Sequence, residues 1–210
     1  MVETPFGQKP VSWIPEEHGN LLILGSTGTG KTHLIKQILK SLTEQGGSQI
    51  YITQFSPKEY EEFRGQENVR IADDFDSSIG MLRGLRDMAV GRSVTNGENL
   101  DWAFIVMDEV SRVLSVSPFL TEEETVLREE ILSIVSEILS ISEQSKISLI
   151  FSSQSFSPGA IGGAEVTKWI GSRILLSPIP EEAAESPADI ERFSGLYIVG
   201  DGEPELFQGI

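Results

Sequence analysis

Residues 21 to 32 read Leu-Leu-Ile-Leu-Gly-Ser-Thr-Gly-Thr-Gly-Lys-Thr, and this stretch decides how the rest of the chain is interpreted. The four apolar residues predict a short buried strand, and the glycines after them predict a tight turn. Apolar residues then recur at helical spacing. Strand, turn and helix together are the setting in which the pattern G-x-x-x-x-G-K-S/T binds phosphate. Gly25, Gly30, Lys31 and Thr32 match that pattern in full, which disfavours a chance glycine turn.

The glycine-rich turn is expected to hold the phosphates of a nucleotide. Its backbone N–H groups and the N-terminus of the following helix would point at the anion. Lys31 would neutralise charge on the β- and γ-phosphates, and the hydroxyl of Thr32 would be a Mg²⁺ ligand. We expect the ring of His33 to pack rather than catalyse. The predicted nucleotide contacts are Gly25, Ser26, Thr27, Gly28, Thr29, Gly30, Lys31, Thr32 and His33.

A second apolar strand, Phe104-Ile105-Val106-Met107, ends in two acids, Asp108 and Glu109. By themselves, two acids where a strand meets solvent would be unremarkable. Downstream of a complete phosphate-binding turn, they predict that Asp108 holds Mg²⁺, through water, because this ion keeps several of its waters. Glu109 would lie one residue further and would orient or deprotonate an attacking water.

The nucleotide and the reaction follow from what accompanies these motifs. The chain has no Asn-Lys-x-Asp sequence of the kind that recognises guanine, so ATP is the predicted nucleotide. Small-molecule kinases keep water away from the phosphate, whereas Glu109 would activate water. The sequence therefore favours an ATPase with the cofactors ATP and Mg²⁺.

The rest of the chain alternates apolar strands with amphipathic helices, which predicts an α/β fold with a mostly parallel sheet flanked by helices. We expect one domain over residues 1–210, with 1–19 as a lead-in segment. A capping box is predicted at Thr121 and Glu124, and a loop over 91–101. The predicted strands are 21–24, 49–53, 69–72, 103–107, 147–152, 174–176 and 196–199, and the predicted helices follow residues 32, 74 and 121.

Composition excludes several classes of site and protein. The 210 residues include no cysteine and two histidines, so disulfides, cysteine-based metal sites and histidine-rich centres are excluded. No stretch approaches a membrane span, and we expect a cytoplasmic protein, or one of the host cytoplasm if the source is viral or plasmid-borne. A formal net charge of -16 weighs against nucleic-acid binding over the whole surface, although a local basic patch remains compatible with it.

A third motif gives the chain a family resemblance. Residues 147–154 form an apolar strand ending in Gln154, and about twenty residues later Gly171-Ser172-Arg173 leads into the apolar run Ile174-Leu175-Leu176. Two segments, 7–13 and 18–24, lead into the phosphate-binding turn, and residues 194–210 come after the other motifs. The order of these segments resembles that of the FtsK–HerA superfamily of RecA-like DNA pumps. The resemblance implies a RecA-like P-loop NTPase fold with C-terminal antiparallel strands. It also implies a homo-oligomeric ring, a hexamer being favoured, that translocates or packages double-stranded DNA.

The resemblance also implies roles for two further residues. Gln154 would be a sensor between the γ-phosphate and moving parts, since its amide both donates and accepts hydrogen bonds. Arg173 would be an arginine finger that reaches the ATP of a neighbouring subunit. The substitutes for Arg173 are Arg112, Arg128 and Arg86. The implied catalytic set is Glu109, Lys31, Gln154 and Arg173, with Thr32 and Asp108 on the metal.

The chain also departs from the family pattern. We find in its sequence neither the membrane anchor nor the winged-helix DNA reader of larger members, so a protein partner is a candidate source of DNA recognition or membrane attachment. The segment 111–120 has no counterpart that we can place. Contact with DNA would come from loops facing the pore. The candidates are the region of Arg83, Arg86 and Arg92, and the glycine-containing segment 155–168, which ends at Lys168 and is expected to be mobile.

Three other functions remain open at this point. An ATP-driven assembly or secretion motor acting on a protein partner fits the acidic composition. A nucleotide or small-molecule kinase fits the phosphate-binding turn but not Glu109. A non-hydrolysing ATP switch would bind ATP tightly without turnover.

Overall fold

The fold is built on eight strands and seven α-helices within the described residues. A computed structural model describes residues 13–53, 55, 59–115, 120–155, 157–178, 193–200, 202–203 and 205–208. The strands are β1 (Asn20–Leu24), β2 (Gln49–Thr53), β3 (Val69–Ile71), β4 (Ala103–Met107), β5 (Ile147–Ser153), β6 (Ile170–Pro178), β7 (Phe193–Val199) and β8 (Glu205–Gln208). The helices are α1 (Pro15–His18), α2 (Lys31–Gln45), α3 (Phe75–Val94), α4 (Ser111–Leu114), α5 (Glu122–Ser140), α6 (Ser142–Ser145) and α7 (Ala164–Thr167).

The strands form one sheet in the order β3-β2-β4-β5-β1-β6-β7-β8. The first six of these run parallel, while β7 is antiparallel to β6 and β8 is antiparallel to β7. This confirms the predicted α/β, RecA-like class with C-terminal antiparallel strands. Because parallel neighbours end at the same edge of a sheet, the residues that follow β1, β4 and β5 meet there.

Alternation along the strands divides the core between the two faces of the sheet. On one face, Leu22 and Ile105 belong to a cluster that packs against α3 and α5. On the other face, Ile23 and Val106 belong to a cluster that packs against α2 and the 3₁₀ helix Glu61–Phe63. The strands β1, β4 and β5 are buried along their whole length, so the elements that carry the predicted motifs lie at the centre of the molecule.

The helix boundaries confirm one sequence prediction and correct another. α5 begins with the predicted capping box, in which Thr121 and Glu124 exchange side-chain-to-backbone hydrogen bonds. The loop predicted over 91–101 was wrong at its start, since α3 continues to Val94. Arg92 supports this last turn by donating to the backbone oxygen of Asp101 at 3.0 Å.

The C-terminal strands are longer than the sequence indicates. β6 pairs with β1 on one side and with β7 on the other, so that Arg173 lies between Leu22 and Ile198. The prediction had started this strand at Ile174, four residues too late. A side chain on Gly171 would collide with the backbone oxygen of His18, which explains a glycine where β6 begins. The sequence also predicts a surface connection over 178–187 and a hairpin turn at Asp201-Gly202. After its first residue this connection lies outside the described residues, and so does Asp201.

The segment 155–168 differs from the mobile loop that its glycines suggested. It contains the 3₁₀ helix Pro158–Ile161 and α7. Ile161 and Val166 are 4% and 1% exposed and join the core cluster beside α5. Two buried anchors hold the segment in its described part, so the glycines serve tight turns between them. No helix within the described ranges has the length and apolar character that a membrane crossing requires.

Candidate nucleotide site

The phosphate-binding turn joins β1 to α2 at the carboxyl edge of the sheet. Gly28 and Gly30 have φ angles of 84° and 89°, in the left-handed region that favours glycine. A side chain on Gly25 would collide with the hydroxyl of Thr29 and would lie 3.1 Å from Leu176. Thr29 is buried and donates to the backbone oxygen of Ser26 at 2.8 Å. The turn is therefore shaped by its own contacts before any ligand arrives.

Lys31 closes this turn from within. Its Nζ donates to the backbone oxygens of Gly25 at 2.8 Å and Ser26 at 3.1 Å, and its side chain is 5% exposed. The same ammonium lies 3.6 Å from Oε1 of Glu109. A positive charge thus lies inside the turn, next to the carboxylate that the sequence predicted to act on water.

Asp108 receives hydroxyl groups from three separate parts of the chain. Thr32 donates to its Oδ2 at 2.9 Å, and Tyr60 donates to the same oxygen at 2.7 Å. Ser152 donates to Oδ1. Asp108 is 2% exposed, and a buried carboxylate needs donors of this kind. The structure thereby brings together Thr32 and Asp108, the two predicted metal-ligating residues.

Glu109 turns back towards the phosphate-binding turn through an unusual backbone conformation. Its φ angle is 55°, which is uncommon for a residue with a side chain. Its N–H donates to Oγ of Ser152 at 2.8 Å, and this hydrogen bond holds the conformation. The carboxylate is 15% exposed and faces Lys31. Such strain is a known feature of functional sites, where the surrounding structure maintains it.

Gln154 connects the two halves of the site. Its Nε2 donates to Oε2 of Glu109 at 2.6 Å, and its Oε1 accepts from the hydroxyl of Thr27 at 2.9 Å. β5 lies between β4 and β1, so a residue at the end of β5 can reach both. The residue for which the family resemblance implied a sensor role therefore contacts the predicted catalytic acid and the phosphate-binding turn together.

Arg173 lies apart from this group. It is half-buried near the middle of β6, two residues before Leu175, which pairs with the last residue of β1. Within the described ranges it makes no side-chain hydrogen bond or ion pair. The three substitutes for Arg173 differ in their surroundings. Arg128 donates to the backbone of Leu114, Arg86 pairs with Asp87, and Arg112 is exposed on α4.

His33 does not pack as its position suggested. Its ring is exposed on the first turn of α2, 3.3 Å from the amide nitrogen of Gln37. Any contact of His33 with a phosphate would therefore involve its backbone N–H at the helix start.

Two residues of the site carry no signal in the sequence. Tyr60 lies in the connection between β2 and β3, and Ser152 lies inside β5. Burial and the neighbouring Asp108 carboxylate raise the pKa of Tyr60 far above its usual range, so Tyr60 is a hydrogen-bond donor at any ordinary pH. A strand-exit serine and an isolated tyrosine become informative only when the strand order places them beside Asp108.

The donor set fits Mg²⁺ bound together with a nucleotide. Thr32 and Asp108 offer a hydroxyl and a carboxylate side by side, the oxygen ligands that Mg²⁺ prefers. Among the described residues, no group of three acidic, histidine or cysteine side chains could hold a metal alone. Phosphate oxygens would have to complete the coordination, as in other nucleotide sites of this kind.

Three of the four basic residues considered for DNA contact, Arg83, Arg86 and Lys168, pair with acids of the same chain, whereas Arg92 donates to the backbone oxygen of Asp101. Arg83 binds Glu130 at 2.7 Å, and Lys168 binds Glu165 at 2.8 Å. A cavity of about 510 Å³ lies at the opposite edge of the sheet and includes Lys168 but no residue of the phosphate-binding turn. The polar interactions among the predicted site residues, rather than cavity size, identify the candidate site.

Comparison with known proteins agrees with this geometry. Residues 15–156, which include the phosphate-binding turn, the acidic pair and Gln154, match the family described as AAA domain. No curated protein sequence matches the chain.

Three solved structures share this fold, which confirms the predicted resemblance at the level of the fold. The conjugation coupling protein TcpA of pCW3 has a TM-score of 0.71 at 19% identity, covering 92% of this chain and 60% of its own. The cytoplasmic domain of the type VII secretion ATPase EccC of Thermomonospora curvata has a TM-score of 0.70 at 13% identity, covering 96% and 25%. The DNA-packaging ATPase B204 from Sulfolobus Turreted Icosahedral Virus has a TM-score of 0.59 at 14% identity, covering 93% and 98%. At these identities the likeness establishes the fold alone.

Proposed function

The chain belongs to the AAA domain family, and from that premise we propose that it is an ATP-hydrolysing ring motor that translocates or packages double-stranded DNA. The observation that carries the ATPase part is the arrangement at the carboxyl edge of the sheet. Thr32 and Asp108 are in contact there, and Glu109 lies against both Lys31 and Gln154. A group that can hold Mg²⁺, a cation for phosphate and a base for water thus lie side by side.

These residues would divide the reaction among them. Lys31 would exchange its backbone partners for the β- and γ-phosphates, and the N–H groups of the turn would bind the remaining phosphate oxygens. Glu109 would accept the proton of the attacking water, and the products would be ADP and phosphate. When bound, Mg²⁺ supplies neutralisation of the charge on the β- and γ-phosphates.

Gln154 would report whether a γ-phosphate is present. Its amide bridges Thr27 and Glu109. A γ-phosphate between these groups offers oxygens that attract the same amide N–H. If the Gln154 amide exchanged Glu109 for a γ-phosphate oxygen, Glu109 would be free to turn towards water. The orientation of the base would then depend on whether ATP occupies the site.

The exposed side of β6 and β7 supports the ring. Arg173, Leu175, Leu196 and Ile198 share one face of these paired strands. Leu196 is 36% exposed, and the other three are half-buried. An arginine without a described partner, surrounded by partly exposed apolar residues, suits a contact with a second copy. Arg173 would there stabilise charge on the neighbour's phosphoryl group. A hexamer is the expected size.

Double-stranded DNA is the cargo that we favour. The chain matches the virus DNA-packaging ATPase over 93% of its own length and 98% of the other protein's, so the two are of similar extent. The conjugation coupling protein has the highest TM-score of the three structures compared above. Contact with DNA would require basic side chains to leave the acids with which they now form ion pairs, or a partner that supplies DNA recognition.

A protein cargo is the second candidate, and one observation favours it. Arg83, Arg86 and Lys168, three of the four basic residues considered for DNA, each pair with an acid within the chain. A surface neutralised in this way gives little of the counterion release that drives DNA binding. The type VII secretion ATPase, whose structure in complex with a signal sequence peptide also matches, provides a precedent for this fold.

The ATPase rate with and without duplex DNA separates these candidates. We expect weak activity alone, stimulation by duplex DNA, and a steep loss of that stimulation with salt. If the ring forms and its ATPase rate is the same with and without duplex DNA, the DNA proposal is contradicted. Stimulation by a partner protein would then support the protein-cargo alternative. Glu109→Gln should lower turnover about 10²- to 10⁴-fold, and Glu129→Gln, on the exposed side of α5, is the matched control.

The same wild-type and Glu109→Gln proteins also test the two remaining functions, a kinase and a non-hydrolysing ATP switch. Phosphoryl transfer that survives Glu109→Gln would indicate a kinase. Tight ATP binding without turnover in the wild type would indicate a switch.

A further inference from the structure

Tyr60 is the one aromatic side chain described in contact with the predicted metal ligands. It is 2% exposed and lies in the core cluster on the α2 face of the sheet. Its hydroxyl donates to Oδ2 of Asp108 at 2.7 Å, the same oxygen that accepts from Thr32 at 2.9 Å. Two donors from different parts of the chain thus converge on one carboxylate oxygen.

The strand order explains how Tyr60 arrives there. β2 lies next to β4, and Thr53 at the end of β2 is level with Met107, the residue before Asp108. Tyr60, in the connection from β2 to β3, therefore lies beside the acidic pair. Lys36 of α2 contacts this part of the connection. Its Nζ lies 5.9 Å from the centre of the Tyr60 ring and 3.1 Å from Glu62.

A phenylalanine would satisfy the packing at this position equally well. The hydroxyl adds a buried polar group, which is tolerated because Asp108 accepts its hydrogen bond. Its effect falls on Asp108, whose Oδ1 is already fixed by Ser152. With Oδ2 held as well, the carboxylate cannot rotate, and the oxygen stays beside Thr32.

We propose that Tyr60 is a positioning residue, which holds Asp108 in the orientation that receives Mg²⁺·ATP. This inference rests on the proposed function, since it assumes that Thr32 and Asp108 hold Mg²⁺ with the nucleotide. Groups that orient a metal-binding carboxylate contribute to metal affinity without touching the metal. Tyr60 therefore acts on Mg²⁺-dependent nucleotide binding and leaves the binding of metal-free nucleotide to the phosphate-binding turn.

The test is equilibrium binding of fluorescent ATPγS to wild type and Tyr60→Phe, with saturating Mg²⁺ and with EDTA. In Mg²⁺, Tyr60→Phe should raise the Kd about tenfold, which is the low end for loss of an outer partner at a metal site. In EDTA the two proteins should agree within about twofold, the usual limit for unconnected sites. Mn²⁺ binding followed by electron paramagnetic resonance, in the presence of ATPγS, should weaken in parallel.

The matched control is Tyr51→Phe. Tyr51 lies on β2, and its hydroxyl contacts the sulfur of Met88 at 3.9 Å, away from Asp108. Loss of this hydroxyl should change neither Kd. Thermal unfolding of the three proteins without nucleotide checks that each is folded.

A double-mutant cycle tests whether the loss of Mg²⁺-dependent affinity in Tyr60→Phe acts through Asp108. In an Asp108→Ala background, Tyr60→Phe should cost no further Mg²⁺-dependent affinity. A cost that persists without Asp108 would overturn the proposal, and so would equal weakening in Mg²⁺ and in EDTA. If wild type binds ATPγS equally with and without Mg²⁺, the proposed metal site fails and the inference fails with it. If wild type depends on Mg²⁺ and Tyr60→Phe depends on it equally, the inference alone fails.

Discussion

The turn between β1 and α2 and the middle of β6 present polar side chains in opposite ways. Around the turn, Lys31, Asp108, Glu109 and Gln154 all contact one another or the same neighbours. On β6, Arg173 has apolar neighbours and no polar partner among the described residues. In our proposal the first region is complete within a single chain, whereas the second gains its partner from another molecule. Binding and activation of water belong to the first region in our proposal, and the finger to the second.

The largest effect is expected from Arg173→Ala. If Arg173 serves a neighbour's ATP, its loss should lower kcat by about 10³-fold or more, as for other arginine fingers. Nucleotide binding by the isolated chain should persist. The measurement is steady-state ATP hydrolysis at a protein concentration that supports the ring, with Arg70→Ala on the exposed side of β3 as the control.

Mixed assemblies decide whether Arg173 acts in a neighbour. Arg173→Ala chains combined with Glu109→Gln chains should regain part of the activity, because some interfaces then join an intact Glu109 to an intact Arg173. No recovery in assemblies that are shown to contain both chains would place Arg173 in its own site or outside catalysis.

The next largest effect is expected from Glu109→Gln. Loss of a general base typically costs about 10²- to 10⁴-fold in kcat. The amide preserves the shape of the side chain, so the Kd for ATPγS should stay close to that of wild type. Single-turnover hydrolysis gives the chemical step directly. A variant that hydrolyses ATP at the wild-type rate would remove Glu109 from the mechanism.

Gln154→Ala should have a smaller effect. The change removes the bridge between Thr27 and Glu109, so the carboxylate loses its orientation but keeps its chemistry. Misplacement of a reacting group lowers kcat by about 10- to 10²-fold. Gln144→Ala, at the opposite edge of the sheet, is the control. An unchanged kcat would show that the bridge is incidental.

The smallest effect concerns the ion pair of α3 and α5. The hydrogen bond from Arg83 lowers the pKa of Glu130, so the pair stabilises the fold above the ordinary glutamate pKa and loses this contribution as pH falls through the lowered value. Both residues are exposed, and the contribution is small. Glu130→Gln should lower the melting temperature slightly at neutral pH, and the gap should close below about pH 4. Glu129→Gln should show no such gap.

The sequence predicted those parts of the site that follow one another along the chain. The turn at Gly25–Thr32 and the pair at Asp108 and Glu109 each combine an apolar strand with its polar exit, so local pattern was sufficient. The sheet class followed from the alternation of strands and helices. The implied contact of Gln154 with this region agrees with the position of β5 between β4 and β1.

Tyr60 and Ser152 could not be predicted, because their roles depend on which strands are neighbours. Nothing in the residues around Tyr60 distinguishes it from an ordinary core tyrosine until β2 is placed beside β4. The left-handed backbone of Glu109 likewise depends on the hydroxyl of Ser152, which is 43 residues away along the chain. The end of α3 was misjudged because Gly91 and its polar neighbours have low helix propensity, and tertiary contacts outweighed it.

Steady-state ATP hydrolysis by wild type and by Lys31→Ala tests the central claim most directly. Lys31 is the one cation inside the phosphate-binding turn in the described part of the chain. We expect wild type to turn over ATP, and Lys31→Ala to lose both turnover and ATPγS binding while it remains folded. A folded Lys31→Ala protein that hydrolyses ATP at the wild-type rate would contradict the account.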